Sequence, residues 1–151
     1  MESKSQSTSD LIQLIKEEAI FPPGTALEGA EGIEVMAAFL TEHVHPDFVT
    51  VMVSQQGIPR EFPGIDGFRE GLSDWITPYE RFRLVIDEVI TQDDKVVFLV
   101  RQVATTKHGG VEIETASASN WSLLDGRIRQ ATFYIDPRTA LEAAGIDPDS
   151  R

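Results

Sequence analysis

Arg101 is the charge in this sequence that most invites a chemical role. It interrupts the apolar run Val96-Val97-Phe98-Leu99-Val100 and shares the two-residue alternation of Val97, Leu99 and Val103. A guanidinium on such a face needs an anionic partner or a ligand. Two readings stay open. In one, Arg101 pairs with an acid of the segment Glu112-Ile113-Glu114 or snorkels to the sheet edge. In the other it reaches a pocket interior and orients a carbonyl, enolate or carboxylate, because a guanidinium only donates.

Other residue types offer less. His43-Val44-His45-Pro46-Asp47 has an H-x-H-x-D spacing that can surround a metal, yet the third histidine, His108, sits in a turn. A solvated helix end where histidine complements the dipole is the expectation, and no metal or cofactor is expected. Asp136 before Pro137 suits a pocket mouth, but is also ordinary turn chemistry at a strand end, which is the expected role. Asn120-Trp121-Ser122 fits a glycosylation pattern but falls in an expected central strand. The absence of cysteine excludes disulfides, thiolate sites and cysteine nucleophiles.

The elements that must hold these residues follow from periodicity. Ser9 or Asp10 can cap a helix with Leu11, Ile12, Leu14, Ile15 and Ala19 on one face, after a polar lead-in over residues 1–8. Phe21 to Gly32, with two prolines and three glycines, reads as a long connection. A second helix carries Ile33, Met36, Ala37, Leu40 and Val44 and closes at Pro46. A short strand spans Phe48 to Val53, ending in a loop through Gln55, Gly57 and Pro59. A third helix starts at Asp66 with Phe68, Leu72, Trp75, Ile76 and Tyr79 on one face. Four strands follow, Phe82 to Ile90, Val96 to Thr105, Val111 to Leu124 and Arg127 to Ile135, joined by turns at Gln92-Asp93-Asp94, Gly109-Gly110 and Asp125-Gly126. A helical tail over Ala140 to Ile146 ends the fold, leaving 148–151 as a tail. Helices first and an antiparallel meander afterwards is an α+β order.

Composition bounds what such a domain can do. The chain has 151 residues, enough for one ordinary domain, and 41% of them are apolar, enough for a packed core. Thirteen Lys and Arg face 25 Asp and Glu, a formal charge of −12, so the summed field repels nucleic acid and anionic lipid surfaces. With no signal peptide or transmembrane-length run, a soluble protein of the bacterial cytoplasm is expected.

Several phrases together resemble the SnoaL-like branch of the nuclear transport factor 2-like superfamily: His45-Pro46-Asp47-Phe48-Val49, Gly64-Ile65-Asp66-Gly67-Phe68-Arg69, Asn120-Trp121-Ser122-Leu123-Leu124-Asp125-Gly126-Arg127-Ile128, and Phe133-Tyr134-Ile135-Asp136 followed by Ala140-Leu141-Glu142-Ala143-Ala144-Gly145. The resemblance covers residues 9–147 and implies a single cone-shaped roll, three helices on a curved, mostly antiparallel sheet enclosing a small apolar pocket. It also implies a homodimer through the outer side of the sheet, with Gln130, Thr132 and Tyr134 uncharged enough to be buried there.

The catalytic residues of that superfamily do not carry over. Ketosteroid isomerases use a first-helix tyrosine, and residues 9–20 hold none; their base would fall in Val51-Met52-Val53 and their protonated aspartate near Ser119. The limonene epoxide hydrolase relay matches Arg101, but its two aspartates would fall near Val103 and Phe133. The expectation is therefore a protein that binds a small apolar or ring-containing molecule, through Trp75, Tyr79, Arg101, Ser119, Trp121 and Phe133. Two alternatives stand beside it: an isomerase, cyclase or epoxide-hydrolase-type enzyme built differently around Arg101, or a noncatalytic dimeric interaction module.

Overall fold

The structure, a computed structural model, describes residue 13, residues 23–54 and residues 56–150. The expected helix over Leu11 to Ala19 and the lead-in before it lie, residue 13 apart, outside the described residues. In chain order the elements are β1 (Ala26–Glu28), α1 (Gly29–His43), β2 (Val44–Val53), β3 (Pro59–Pro63), α2 (Gly64–Ile76), β4 (Tyr79–Gln92), β5 (Lys95–Thr106), β6 (Glu112–Leu124), β7 (Arg127–Tyr134) and α3 (Pro137–Ala143), before a 3-10 turn at Pro148–Ser150.

The strands form one sheet in the order β1-β4-β5-β6-β7-β2-β3. The expected meander from β4 to β7 is present, and β2 runs parallel to β7 while the other pairs are antiparallel. Asp125 and Gly126 both take positive φ, 55° and 77°, the tight hairpin geometry that an Asp-Gly pair favours. Two segments expected as loops are short edge strands. β3 pairs with β2 although prolines stand at both its ends, and β1 pairs with β4; proline is tolerated where one side of a strand needs no donor. The register of β2 shifts between Val44 and Val49, around Pro46 and Asp47, where Arg129 donates to the Asp47 carbonyl at 2.6 Å.

α1 and α2 cover one face of the sheet. Leu40 and Ala37 from α1 and Phe68 and Leu72 from α2 meet Phe48, Met52, Val96, Phe98, Trp121 and Phe133 from the strands. Phe98 and Phe133 each stand edge-on to Trp121, with ring centroids 6.0 Å apart, an arrangement suited to aromatic quadrupoles. α2 sits so close to β3 that a Cβ on Gly67 would lie 2.5 Å from the Phe62 carbonyl carbon. The outer face has its own cover: Leu141 and Ala144, in and just after α3, pack on Val97, with Leu99, Ile90 and Ile146 alongside. α3 thus lies on the opposite face from α1 and α2.

Candidate functional site

An interior cleft opens between the inner face of the sheet and the two helices. Its walls come from Leu27 of β1, Ile33 and Met36 of α1, Leu72, Trp75 and Ile76 of α2, Phe82 and Leu84 of β4, Val100 and Gln102 of β5, Ser117 and Ser119 of β6, and Phe133 and Tyr134 of β7. It offers about 30 Å³. A further space of about 20 Å³ continues past Val100, Ser119 and Phe133 to Phe98 and Trp121. These volumes hold water-sized molecules and no ring system. A roomier hollow of about 140 Å³ lies on the outer face between Glu28, Arg81, Arg83, Thr105 and Glu112. Its charges face solvent, so it lacks the dry walls that retain an organic ligand.

The sheet register explains which side chains reach the cleft. Val96, Phe98, Val100 and Gln102 point inward along β5, opposite Trp121, Ser119, Ser117 and Thr115 of β6. Trp75 donates its indole N–H to Oε1 of Gln102 at 2.8 Å, joining the end of α2 to the sheet. Trp121 donates to Oγ of Ser119, also at 2.8 Å. Ser117 is buried on the cleft wall, and its hydroxyl has no partner among the described residues. Burial raises the pKa of Tyr134, so its phenol stays protonated at neutral pH.

Of the residues expected at the site, the structure brings Trp75, Ser119, Trp121 and Phe133 together. Tyr79 stands at the start of β4, packed on Phe82 with centroids 5.9 Å apart, and Phe82 takes the place on the wall that Tyr79 was expected to fill. Arg101 must be corrected: it is exposed on the outer face, with Nε 3.0 Å from both oxygens of Asp87 and Nη1 3.1 Å from Glu114. Hydrogen bonds to Glu114 and then to Asp87 raise its pKa further, so it remains a cation held by two acids. The alternation with Val97 and Leu99 is as expected, but those residues are covered from outside by α3. Both parities of β5 are apolar, and alternation alone could not choose the face. An enzyme built around Arg101 in the cleft loses its premise with it.

Gln102 and Ser117 were not among the expected site residues. The signal for Gln102 was present, a polar residue closing the row Val96, Phe98, Val100, once that row is known to face inward. His45 accepts the Asp47 backbone N–H at 3.0 Å and His43 packs on Phe39, so both serve the helix-to-strand junction. No cluster of three metal-binding side chains occurs among the described residues. Asp136 caps α3, accepting the Arg138 N–H at 2.9 Å, which is the expected turn role. Asn120 is buried under α3.

The hydrogen-bonding side chains on the wall, Trp75, Gln102, Ser117 and Ser119, are all uncharged at neutral pH. Among the described residues, neither serine has a histidine or carboxylate on the wall to activate it. The arrangement can solvate a neutral polar group inside an apolar enclosure.

The SnoaL-like domain family matches residues 34–131, which span α1 to the middle of β7. The chain belongs to the SnoaL-like domain family. A protein assigned as a SnoaL-like polyketide cyclase from Jannaschia sp. CCS1 superposes on this SnoaL-like chain with a TM-score of 0.58, at 15% identity over 98% of each chain. TerC, co-crystallised with polyporic acid, gives 0.53 at 20% identity over 94% of this chain and 98% of its own. A nuclear transport factor 2-like protein of unknown function from Burkholderia pseudomallei K96243 gives 0.54 at 16% identity over 95% and 98%. At these identities the likeness establishes the fold, the nuclear transport factor 2-like α+β cone. Among curated proteins no significant match exists. No helix among the described residues is long and apolar enough to cross a membrane.

Proposed function

We propose that this SnoaL-like protein binds an uncharged, ring-containing small molecule in the interior cleft. The observation that carries the reading is the make-up of the wall: apolar and aromatic side chains interrupted by neutral hydrogen-bonding groups, with no carboxylate, histidine or lysine among the described residues. Burying a charged ligand there would leave the charge unpaired, at a cost of several kcal/mol. An uncharged ring loses little and gains roughly 25 cal/mol for each Å² of apolar surface removed from water. At about 30 Å³ the cleft is narrower than a ring, so its walls must part to admit one. A thermal-shift screen of steroids, terpenoids and aromatic polyketides tests this. A ligand at a hundred times its Kd raises stability by about 2.7 kcal/mol, and Val100→Phe, which fills the cleft, removes the effect. Silence across all three classes, with unchanged fluorescence of Trp75 and Trp121, would overturn the reading.

We further infer that two copies pair through the outer face beside α3, around Gln130, Thr132 and Tyr134. These residues are uncharged, and Gln130 donates to the Thr132 hydroxyl at 2.9 Å, which already meets part of their hydrogen-bonding capacity. Light scattering showing only a 16.7 kDa species at micromolar concentration would overturn the pairing.

A further inference from the structure

We propose that Trp75 and Trp121 act as positioning residues that make the cleft a row of hydrogen-bond donors, selective for uncharged rings bearing ketone, quinone or lactone oxygens. This rests on the reading that the cleft takes an uncharged ring, and adds which polar edge the ring must present.

Both tryptophans of the chain donate an indole N–H to a polar side chain of the cleft wall. An indole N–H only donates. Trp75 therefore fixes the amide of Gln102 with Oε1 toward the indole at 2.8 Å, since the flipped amide would set N–H against N–H. The Nε2 group is left with two N–H donors and no partner among the described residues. Trp121 does the same to Ser119: an Oγ that accepts at 2.8 Å must turn its own proton elsewhere, and that proton meets no described acceptor. Ser117, 4% exposed, adds a third donor group, a hydroxyl without a partner among the described residues.

The register places these groups in one row. Ser117 and Ser119 share the inner face of β6, and Gln102 stands diagonally across from Ser117 on β5. A ligand carbonyl can accept from every group in the row, whereas a ligand N–H or O–H finds only the Ser117 oxygen without a partner among the described residues. Buried donors left unmatched penalise the wrong partner more than matched ones reward the right one.

Three probes of nearly one shape separate the possibilities on the full chain: indane, 1-indanone and 1-indanol, titrated while the two indole N–H resonances are followed by NMR. The expected result is 1-indanone binding about tenfold tighter than indane, with 1-indanol weaker than the ketone. Equal affinity for all three would overturn the donor row and leave the cleft reading standing; binding by none would overturn both. Gln102→Glu keeps an oxygen for Trp75 but replaces the two N–H donors with a second oxygen. It should abolish the preference for 1-indanone and create one for 1-aminoindane, an inversion that a merely structural glutamine would not produce. Trp75→Phe, which keeps a ring but frees the amide to turn, should shrink the ketone-to-indane ratio while indane still binds. An unchanged ratio there overturns the positioning role.

Discussion

Arg101 and Asp87 face each other across β4 and β5 on the outer face of the sheet, the guanidinium Nε 3.0 Å from both carboxylate oxygens. Glu114 holds the other end of the same guanidinium from β6. Three strands are thus laced by one exposed cation, and the cleft lies on the other side. Arg101→Leu should leave ligand affinity in the cleft unchanged and lower the melting temperature only slightly, because exposed ion pairs are screened by water and salt. Calorimetry at low and high salt checks both; a loss of affinity would return Arg101 to the site.

Gly67 is set by backbone contact. Its missing Cβ would stand 2.5 Å from the Phe62 carbonyl carbon, whereas that of Gly71 would meet only the Phe62 ring at 3.0 Å. Gly67→Ala should cost about 1–3 kcal/mol, since α2 must move off β3. Gly71→Ala should cost less, because a ring edge can yield where a peptide cannot. Urea midpoints of the two variants give the comparison.

Asp136 ties the turn after β7 to α3 through its hydrogen bond to the Arg138 N–H. Asp136→Ala should destabilise by about 1 kcal/mol, and Asp136→Asn should restore most of it. Faster amide exchange along α3 in the alanine variant, with the α1 and α2 amides unaffected, is the matching local signature.

Tyr134 gives a pH dependence of definite sign. Burial raises its folded-state pKa above the ordinary value near 10. The unfolded chain therefore loses this proton first. Stability is complete below about pH 10 and falls as pH rises through the raised folded value. The difference in tyrosinate absorbance between wild type and Tyr134→Phe isolates this group from Tyr79, the other tyrosine. The phenylalanine variant should retain more stability at high pH than wild type does.

What the sequence determined by itself is local and periodic. Chain positions 82–135 alternate with turn residues between them, and Asp125-Gly126 can scarcely do anything but turn back, so the meander was legible. The stripe of Ile33, Met36, Ala37 and Leu40 marked α1 for the same reason, and Phe68 and Leu72 marked α2. Tertiary structure decided which parity of each strand faces inward. On β5 both rows are apolar, Val96, Phe98 and Val100 against the main core and Val97 and Leu99 beneath α3. A two-residue period records that the rows differ without recording which is which. That choice moved Arg101 outside and brought Gln102 in. The donor row was hidden for a related reason: the sense of a glutamine amide or a serine hydroxyl is set by what lies across the fold from it. Trp75 is 27 residues from Gln102 in the chain, and only the packing of α2 on the sheet brings the two within hydrogen-bonding distance.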